Sequence, residues 1–383
     1  MATGPGVCNA GQPMPSAPAG LCAVVLLAGC TVPGPMPEPQ GLGPSAARAL
    51  VAQLLPAQVR DKPGWAADVY AALAALDQPS TPATLCAVLA VTEQESGYQA
   101  DPVVPGLATI ARQEIDRRAD RAGVPDLAVR AALALRSSDG RSFAERLERV
   151  RTERELSELF EDFIGQVPLG RAFFADRNPV RTGGPMQVSI AFAETLVRQR
   201  RYPYEIKDSV RREVFTRRGG LYFGAAHLLD YEAPYEQPMY RFADFNAGRW
   251  ASRNAAFQNA VAVASGLALT LDGDLLPPAG ASTPGQTERA ALTLVARIGL
   301  DEAAIRRDLA RGEGPGLEGT ALYRRVFAYA EKLDRRALPR AMLPRIELKS
   351  PKFTRRLTTE WFARRVDERW QRCLSRIEAQ HGN

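Results

Sequence analysis

Residues 82 to 97 read PATLCAVLAVTEQESG, and how that stretch is taken decides the fold. Thr81 ahead of Pro82 supplies an N-cap followed by proline at the first helical position, and Gly97 supplies a stop. Between them Leu85, Val88, Leu89, Val91 and Thr92 recur at helical spacing, which predicts a largely buried helix. Glu95 follows Val91 by four residues and Val88 by seven, so it shares their apolar stripe. Burial raises a carboxyl pKa, and the negative end of the helix dipole in the last turn pushes the same way. A carboxyl still protonated near neutral pH is what a general acid requires. The plainer alternative is a helix-end acid that turns out to solvent.

The helical pattern continues on both sides. AARALVAQLL and GWAADVYAALAAL precede the stretch, and Ala, Leu, Glu and Arg-rich segments follow it with breaks at Pro and Gly. Hardly any segment alternates with period two, and no internal repeat or second membrane-length run stands out, so an all-α fold is predicted. Residues 45–270 read as one helical catalytic domain. Within it, 99–182 reads as a helical insertion that forms either a wall over the site or a peripheral decoration. Ser142 with Glu145 and Thr152 with Glu155 have capping-box spacing there, and Leu156, Leu159, Phe160, Phe163 and Ile164 mark one apolar face. LDGDLLPPAGASTPGQTE at 271–288 reads as a linker, and 289–383 as a C-terminal helical extension. The extension closes on a near-heptad stripe of Phe353, Leu357, Trp361, Val366, Trp370, Leu374 and Ile377 with arginines between.

Composition excludes several classes. In 383 residues, 45% are hydrophobic and 24% charged, which is ordinary for a globular chain. The net charge of +6 permits an anionic partner without demanding nucleic acid, and no nucleic-acid partner is expected. With only His227 and His381, and no Cys-x-x-Cys, neither a metal site nor a Ser-His-Asp site is expected. No phosphate-cradling or dinucleotide-binding glycine loop is present, so no cofactor is expected. His227 reads as a partly buried structural residue.

The N-terminus carries its own signal. Residues 1–29 contain no charged side chain and run into LCAVVLLAGC at 21–30, too short to span a bilayer and the right length for a signal-peptide core. Leu27-Ala28-Gly29-Cys30 resembles the lipobox of bacterial lipoproteins, although no Lys or Arg precedes the apolar run. The resemblance implies a signal peptide at 1–29, lipid on Cys30 and a membrane partner through that anchor. It further implies placement on the periplasmic face of the outer membrane. Residues 30–44 are then a Pro and Gly-rich tether. Cys86 and Cys373 remain as thiols able to pair, but Cys86 inside the buried helix reads as a small core residue.

Three short stretches carry a second resemblance. EQESGY at 93–98, TGGPMQV at 182–188 and ADFNAG at 243–248 resemble, in order, the motifs of lytic transglycosylases with a goose-type lysozyme fold. They are similar to that family's helix-borne Glu-Ser pair, its Gly-x-Met-Gln loop and its Tyr-Asn-Ala-Gly turn. The implied fold is a lysozyme-like helical domain, with peptidoglycan glycan strands as the partner. The implied catalytic residue is Glu95, with Ser96, Tyr98, Gly184, Met186, Gln187, Phe245 and Asn246 around the substrate.

Local reading places Pro185 at a first helical position with Gln187 in the first turn, and Asn246 in a left-handed turn. Phe245 stands where the family has Tyr; Tyr98, Tyr222 or Tyr240 could supply the hydroxyl. Glu93 and Glu95, two apart on a helix, cannot face each other across a bond, so one acid does both jobs unless Asp101 or Asp244 approaches. The family's reaction gives a 1,6-anhydro product. The alternatives are a hydrolytic muramidase and a non-catalytic peptidoglycan-binding lipoprotein.

Overall fold

A computed structural model describes residues 41–166, 174–278, 280–348 and 356–381. The expected signal peptide, Cys30, the tether up to residue 40, and Phe353 lie outside the described residues.

The described chain is all-α apart from two short hairpins. It opens with α1 (Pro44–Leu54), α2 (Lys62–Ala75) and α3 (Pro82–Ser96). The insertion contributes α4 (Leu107–Arg121), α5 (Asp126–Ala134), α6 (Phe143–Arg149) and α7 (Glu153–Gln166). A hairpin of β1 (Thr182–Gly183) and β2 (Val188–Ser189) leads to α8 (Ile190–Gln199), α9 (Val210–Val214), α10 (Arg217–Leu229) and α11 (Pro238–Ala247). Next come α12 (Ala251–Ser265), α13 (Gln286–Leu292), α14 (Val295–Ile298), α15 (Glu302–Leu309) and α16 (Ala321–Asp334). The hairpin of β3 (Glu347–Leu348) and β4 (Leu357–Thr358) then delivers α17 (Thr359–His381).

Helix α3 forms as its sequence predicts. The Thr81 hydroxyl accepts from the Thr84 amide at 3.1 Å, Pro82 opens the helix, and Gly97 ends it in a left-handed conformation at φ 58°. Its residues from Leu85 to Thr92 are all buried. They join α1, α2, α10, α11 and α17 in one apolar core. A second core gathers α12 with α13 to α16, and a third, smaller one holds Leu107, Phe143, Leu147 and Leu159 within the insertion. Both expected capping boxes are present. Ser142 and Glu145 bond reciprocally, as do Thr152 and Glu155.

Three expectations need correction. The segment 271–288 is not a bare linker, because Leu271, Leu275, Thr287 and Glu288 are buried and the Gln258 amide holds the Gly273 N–H at 2.8 Å. The C-terminal region is not one extension. Helices α13 to α16 pack with α12, whereas α17 returns to the first core and lies along α3. Cys86 is not a free core thiol; it forms a disulfide with Cys373 that ties those two helices together. Around it, the Trp370 indole donates to the Ala83 carbonyl at 3.0 Å, Arg376 to the Leu54 carbonyl at 2.7 Å, and Arg369 pairs with Glu93 at 3.3 Å. The apolar stripe of α17 was legible, but a stripe does not name the surface it will cover.

Candidate active site around Glu95

Glu95 sits in the last turn of α3, half-buried. Its carboxyl has no hydrogen-bond partner among the described residues. Burial, reinforced by the negative charge of Glu153, pushes its pKa up to about 8. Part of the side chain still meets solvent, so a ligand can reach it. The result is a carboxylic acid that stays protonated through neutral pH and is not committed to an acceptor among the described residues.

Glu153 is brought to Glu95 by the stem of the insertion. Val103 and Thr152 form an antiparallel bridge, the Val104 amide donates to the Arg151 carbonyl at 2.9 Å, and Asp101 pairs with Arg154 at 3.0 Å. This crosslink starts α7 beside the end of α3 and places Glu153, 9% exposed, in its first turn. The insertion thus brings one carboxylate, Glu153 at the start of α7, close enough to act on the charge of Glu95. Asp101 is spent on Arg154, and Asp244 lies in a buried network of its own, so neither is the second carboxylate weighed from sequence. Glu153 was passed over because it hides inside the capping box that Thr152 and Glu155 advertise.

Replacing Glu153 by Gln removes one of the two causes of the raised Glu95 pKa. The expected outcome is a Glu95 titration midpoint below 8, followed by carboxyl-carbon NMR, while burial still holds it above the ordinary 4.5. An unchanged midpoint would mean that burial alone sets it.

The second motif does not start a helix as expected. Residues 184–187 form a β-turn closed by the Gln187 amide on the Gly184 carbonyl at 3.1 Å, between β1 and β2. Proline fixes a φ that suits the second position of such a turn as well as the first position of a helix, which is why the local signal misleads. Helix α8 begins later, capped by Ser189. Met186 is fully buried, and the Gln187 side chain folds over its own turn, its amide donating to the Gly184 carbonyl at 3.3 Å.

The turn is seated on a glycine face of α10. A Cβ on Gly220 would lie 2.3 Å from Pro185, and one on Gly224 would lie 2.5 Å from the Met186 sulfur. Sequence reasoning missed this face; paired glycines inside a helical run were its only signal.

The third motif occupies the last turn of α11. Asn246 is helical there, not left-handed; the positive φ falls on Gly248 at 112° and Trp250 at 64°. Asp244 organises the following bend by accepting from the Trp250 amide at 3.0 Å, the Ser252 amide at 2.7 Å, and the hydroxyls of Tyr231 and Tyr235. Burial pushes its pKa up to about 6 against those donors. Phe245 is buried between His227, 5.2 Å away by ring centroids, and a stacked Phe362 of α17. The His227 ring donates from Nε2 to the Phe245 carbonyl at 3.2 Å and also packs against Phe192 of α8. It thereby joins α8, the helix after the second motif, to the third motif. Burial next to Arg249 lowers its pKa to about 4, so it is neutral.

The tyrosines do not restore the hydroxyl lost at Phe245. Tyr98 is a core residue whose hydroxyl donates to the Leu89 carbonyl at 3.2 Å, and Tyr240 packs against Tyr235. The Tyr222 hydroxyl is buried among Tyr202 and Phe223, without a hydrogen-bond partner among the described residues. Ser96 is buried too, donating to the Thr92 carbonyl at 3.0 Å and accepting from the Gln99 amide. Of the residues singled out from sequence, Glu95, Gln187 and Asn246 keep partial exposure, while Ser96, Tyr98, Met186 and Phe245 support them from behind. Gly184 is wedged against the Val214 carbonyl. No hydrogen bond among the described residues links Glu95 to the other two motifs; they share α10 and the first core. A depression of about 360 Å³ lies elsewhere, in the insertion between Arg112, Leu133 and Glu148.

Comparison with known proteins assigns a family. Residues 58–376 match the family described as "Protein of unknown function (DUF1615)", and the chain belongs to it. The chain is also similar to "Uncharacterized protein YaiW" of Escherichia coli (strain K12), with 52% identity over 354 residues, covering 92% of this chain and 96% of that protein. No solved structure matches.

Proposed function

We propose that this family member is a peptidoglycan lytic transglycosylase, lysozyme-like in the arrangement of its catalytic helices and held to the outer membrane by lipid on Cys30. The observation that carries the reading is Glu95, a partly exposed residue with its carboxyl pKa raised to about 8 and no hydrogen-bond partner among the described residues. The ordered resemblance of residues 93–98, 182–188 and 243–248 supports it.

In this reading Glu95 gives its proton to the oxygen between N-acetylmuramic acid and N-acetylglucosamine as that bond breaks. The resulting carboxylate takes the proton of the muramic acid's 6-hydroxyl, whose oxygen closes on the anomeric carbon. Glu95 ends as it began, and no water is consumed.

Glu153 favours a second reading. A carboxylate beside the acid is what a hydrolytic muramidase uses to activate water or stabilise the cationic sugar. Digestion of purified sacculi by the full chain, followed by mass spectrometry, separates the two. Products lighter by one water identify the anhydro ring, and reducing ends identify hydrolysis. Binding to sacculi with no release at all would leave a non-catalytic murein-binding lipoprotein and overturn both.

A further inference from the structure

We propose that Thr359, the first residue of the C-terminal helix, is a positioning residue for Asn246. It turns the amide so that its NH₂ group faces outward as the donor for a carbonyl oxygen of an N-acetylated sugar. The proposal rests on the glycan reading above and adds the element that selects the acetamido group.

The Thr359 hydroxyl donates to Asn246 Oδ1 at 2.8 Å. An asparagine amide offers one oxygen acceptor and two N–H donors, so with the oxygen engaged the side of Asn246 left for a ligand is its nitrogen. That nitrogen makes no hydrogen bond among the described residues, and Asn246 is partly exposed. A donor aimed outward recognises an acceptor, and an acetamido carbonyl is a stronger one than a hydroxyl. A free amine at the same sugar position is itself a donor and would face donor with donor.

Thr359 can set a rotamer because it is itself immobilised. It is fully buried, and its amide donates to the Ile346 carbonyl at 3.1 Å. The residues before it pair with β3, and Phe362, one turn on, stacks on Phe245 at 6.5 Å with 9° between the rings. Further along, the Cys86–Cys373 disulfide fastens the same helix to α3. A chain segment far from the three motifs in sequence therefore finishes the third of them.

The test compares binding of a tetramer of N-acetylglucosamine with its de-N-acetylated counterpart by titration calorimetry, using the full chain. The parent is expected to prefer the N-acetylated tetramer. Thr359→Val, which keeps the buried shape, should weaken that binding by about tenfold, and Thr359→Ser should restore it. In parallel, the side-chain amide signals of Asn246 should shift and exchange faster in Thr359→Val but not in Thr359→Ser. A merely structural threonine would leave them unmoved. Undiminished preference in Thr359→Val, or unaltered Asn246 signals in that variant, overturns the proposal. If the parent binds neither tetramer while the signals respond as expected, Thr359 does position Asn246, and the glycan reading is what falls.

Discussion

Glu95→Gln is expected to lose muropeptide release by at least about two powers of ten, the lower end of what a positioned acid-base group contributes. Glutamine keeps the shape of a protonated carboxyl but cannot give or take a proton near neutral pH, so the substitution deletes only chemistry. The same variant should be more stable than the parent, and the sign follows from the raised pKa. Below pH 4.5 the carboxyl is protonated in both the folded and unfolded states and costs nothing. As pH rises from 4.5 toward 8 the unfolded state releases the proton first, so the parent loses stability across that window and levels off above it.

Each pKa unit corresponds to about 1.4 kcal/mol, and partial access to solvent reduces the full shift to roughly 1–3 kcal/mol. Denaturant unfolding at pH 4 and pH 8.5 reads this directly: the variants should coincide at the lower pH and diverge at the higher. Activity of the parent should fall as pH rises through 8, where the acid ionises. Glu93→Gln is the control. Glu93 faces α17, pairing with Arg369 at 3.3 Å and Arg372 at 3.8 Å. Partly exposed pairs of this kind contribute about 0–1 kcal/mol, so most activity should survive. Equal loss in both variants would sink the assignment of Glu95.

What could be read from sequence divides along the range of the forces involved. Helix α3 was legible because Thr81, Pro82 and Gly97 fix its ends by contacts within a few residues, and its apolar content fixes its burial. The position of Glu95 on that helix followed from spacing alone. The turn at Gly184 and the last turn of α11 were located but misassigned. Proline serves a β-turn and a helix start alike, and asparagine before Ala-Gly serves a left-handed turn and a helical last turn alike.

Glu153 and Thr359 were not legible, and the pairing of Cys86 with Cys373 was open to the sequence but not preferred, because each acts across the fold. Glu153 reaches Glu95 only through the bridge between Val103 and Thr152, Thr359 reaches Asn246 only because α17 crosses back, and Cys373 joins Cys86 for the same reason. In each case the residue type was visible and its address was not. The two groups that surround the motif residues with new chemistry thus come from the insertion and from the C-terminal helix, outside the stretches that carry the resemblance.

Gly184→Ala is expected to lower stability by roughly 3–5 kcal/mol, in the range reserved for backbone collisions that cannot relax. Two costs combine there. The residue adopts φ 74°, a region that costs an L side chain about 1–2 kcal/mol. An added Cβ would also lie 2.1 Å from the Val214 carbonyl oxygen and 3.3 Å from the Gly220 Cα, both of them backbone atoms of packed helices. A flexible side chain could move aside, but the end of α9 and the start of α10 cannot without shifting the core they cover.

Gly266→Ala isolates the first cost, because its φ of 76° is close to that of Gly184 while nothing lies within 4 Å of a Cβ there. At about 2 °C per kcal/mol for a chain of this size, thermal unfolding should place Gly184→Ala some 6–10 °C below the parent and Gly266→Ala much closer to it. If the two variants unfold together, the turn is not wedged between α9 and α10 as described. If Gly184→Ala folds, its hairpin can do so only by lifting away from α10, which displaces Gln187 from beside the glycine face. Such a variant should retain the raised pKa of Glu95, set at the far end of α3, yet lose muropeptide release, separating the acid from the surface that presents the glycan to it.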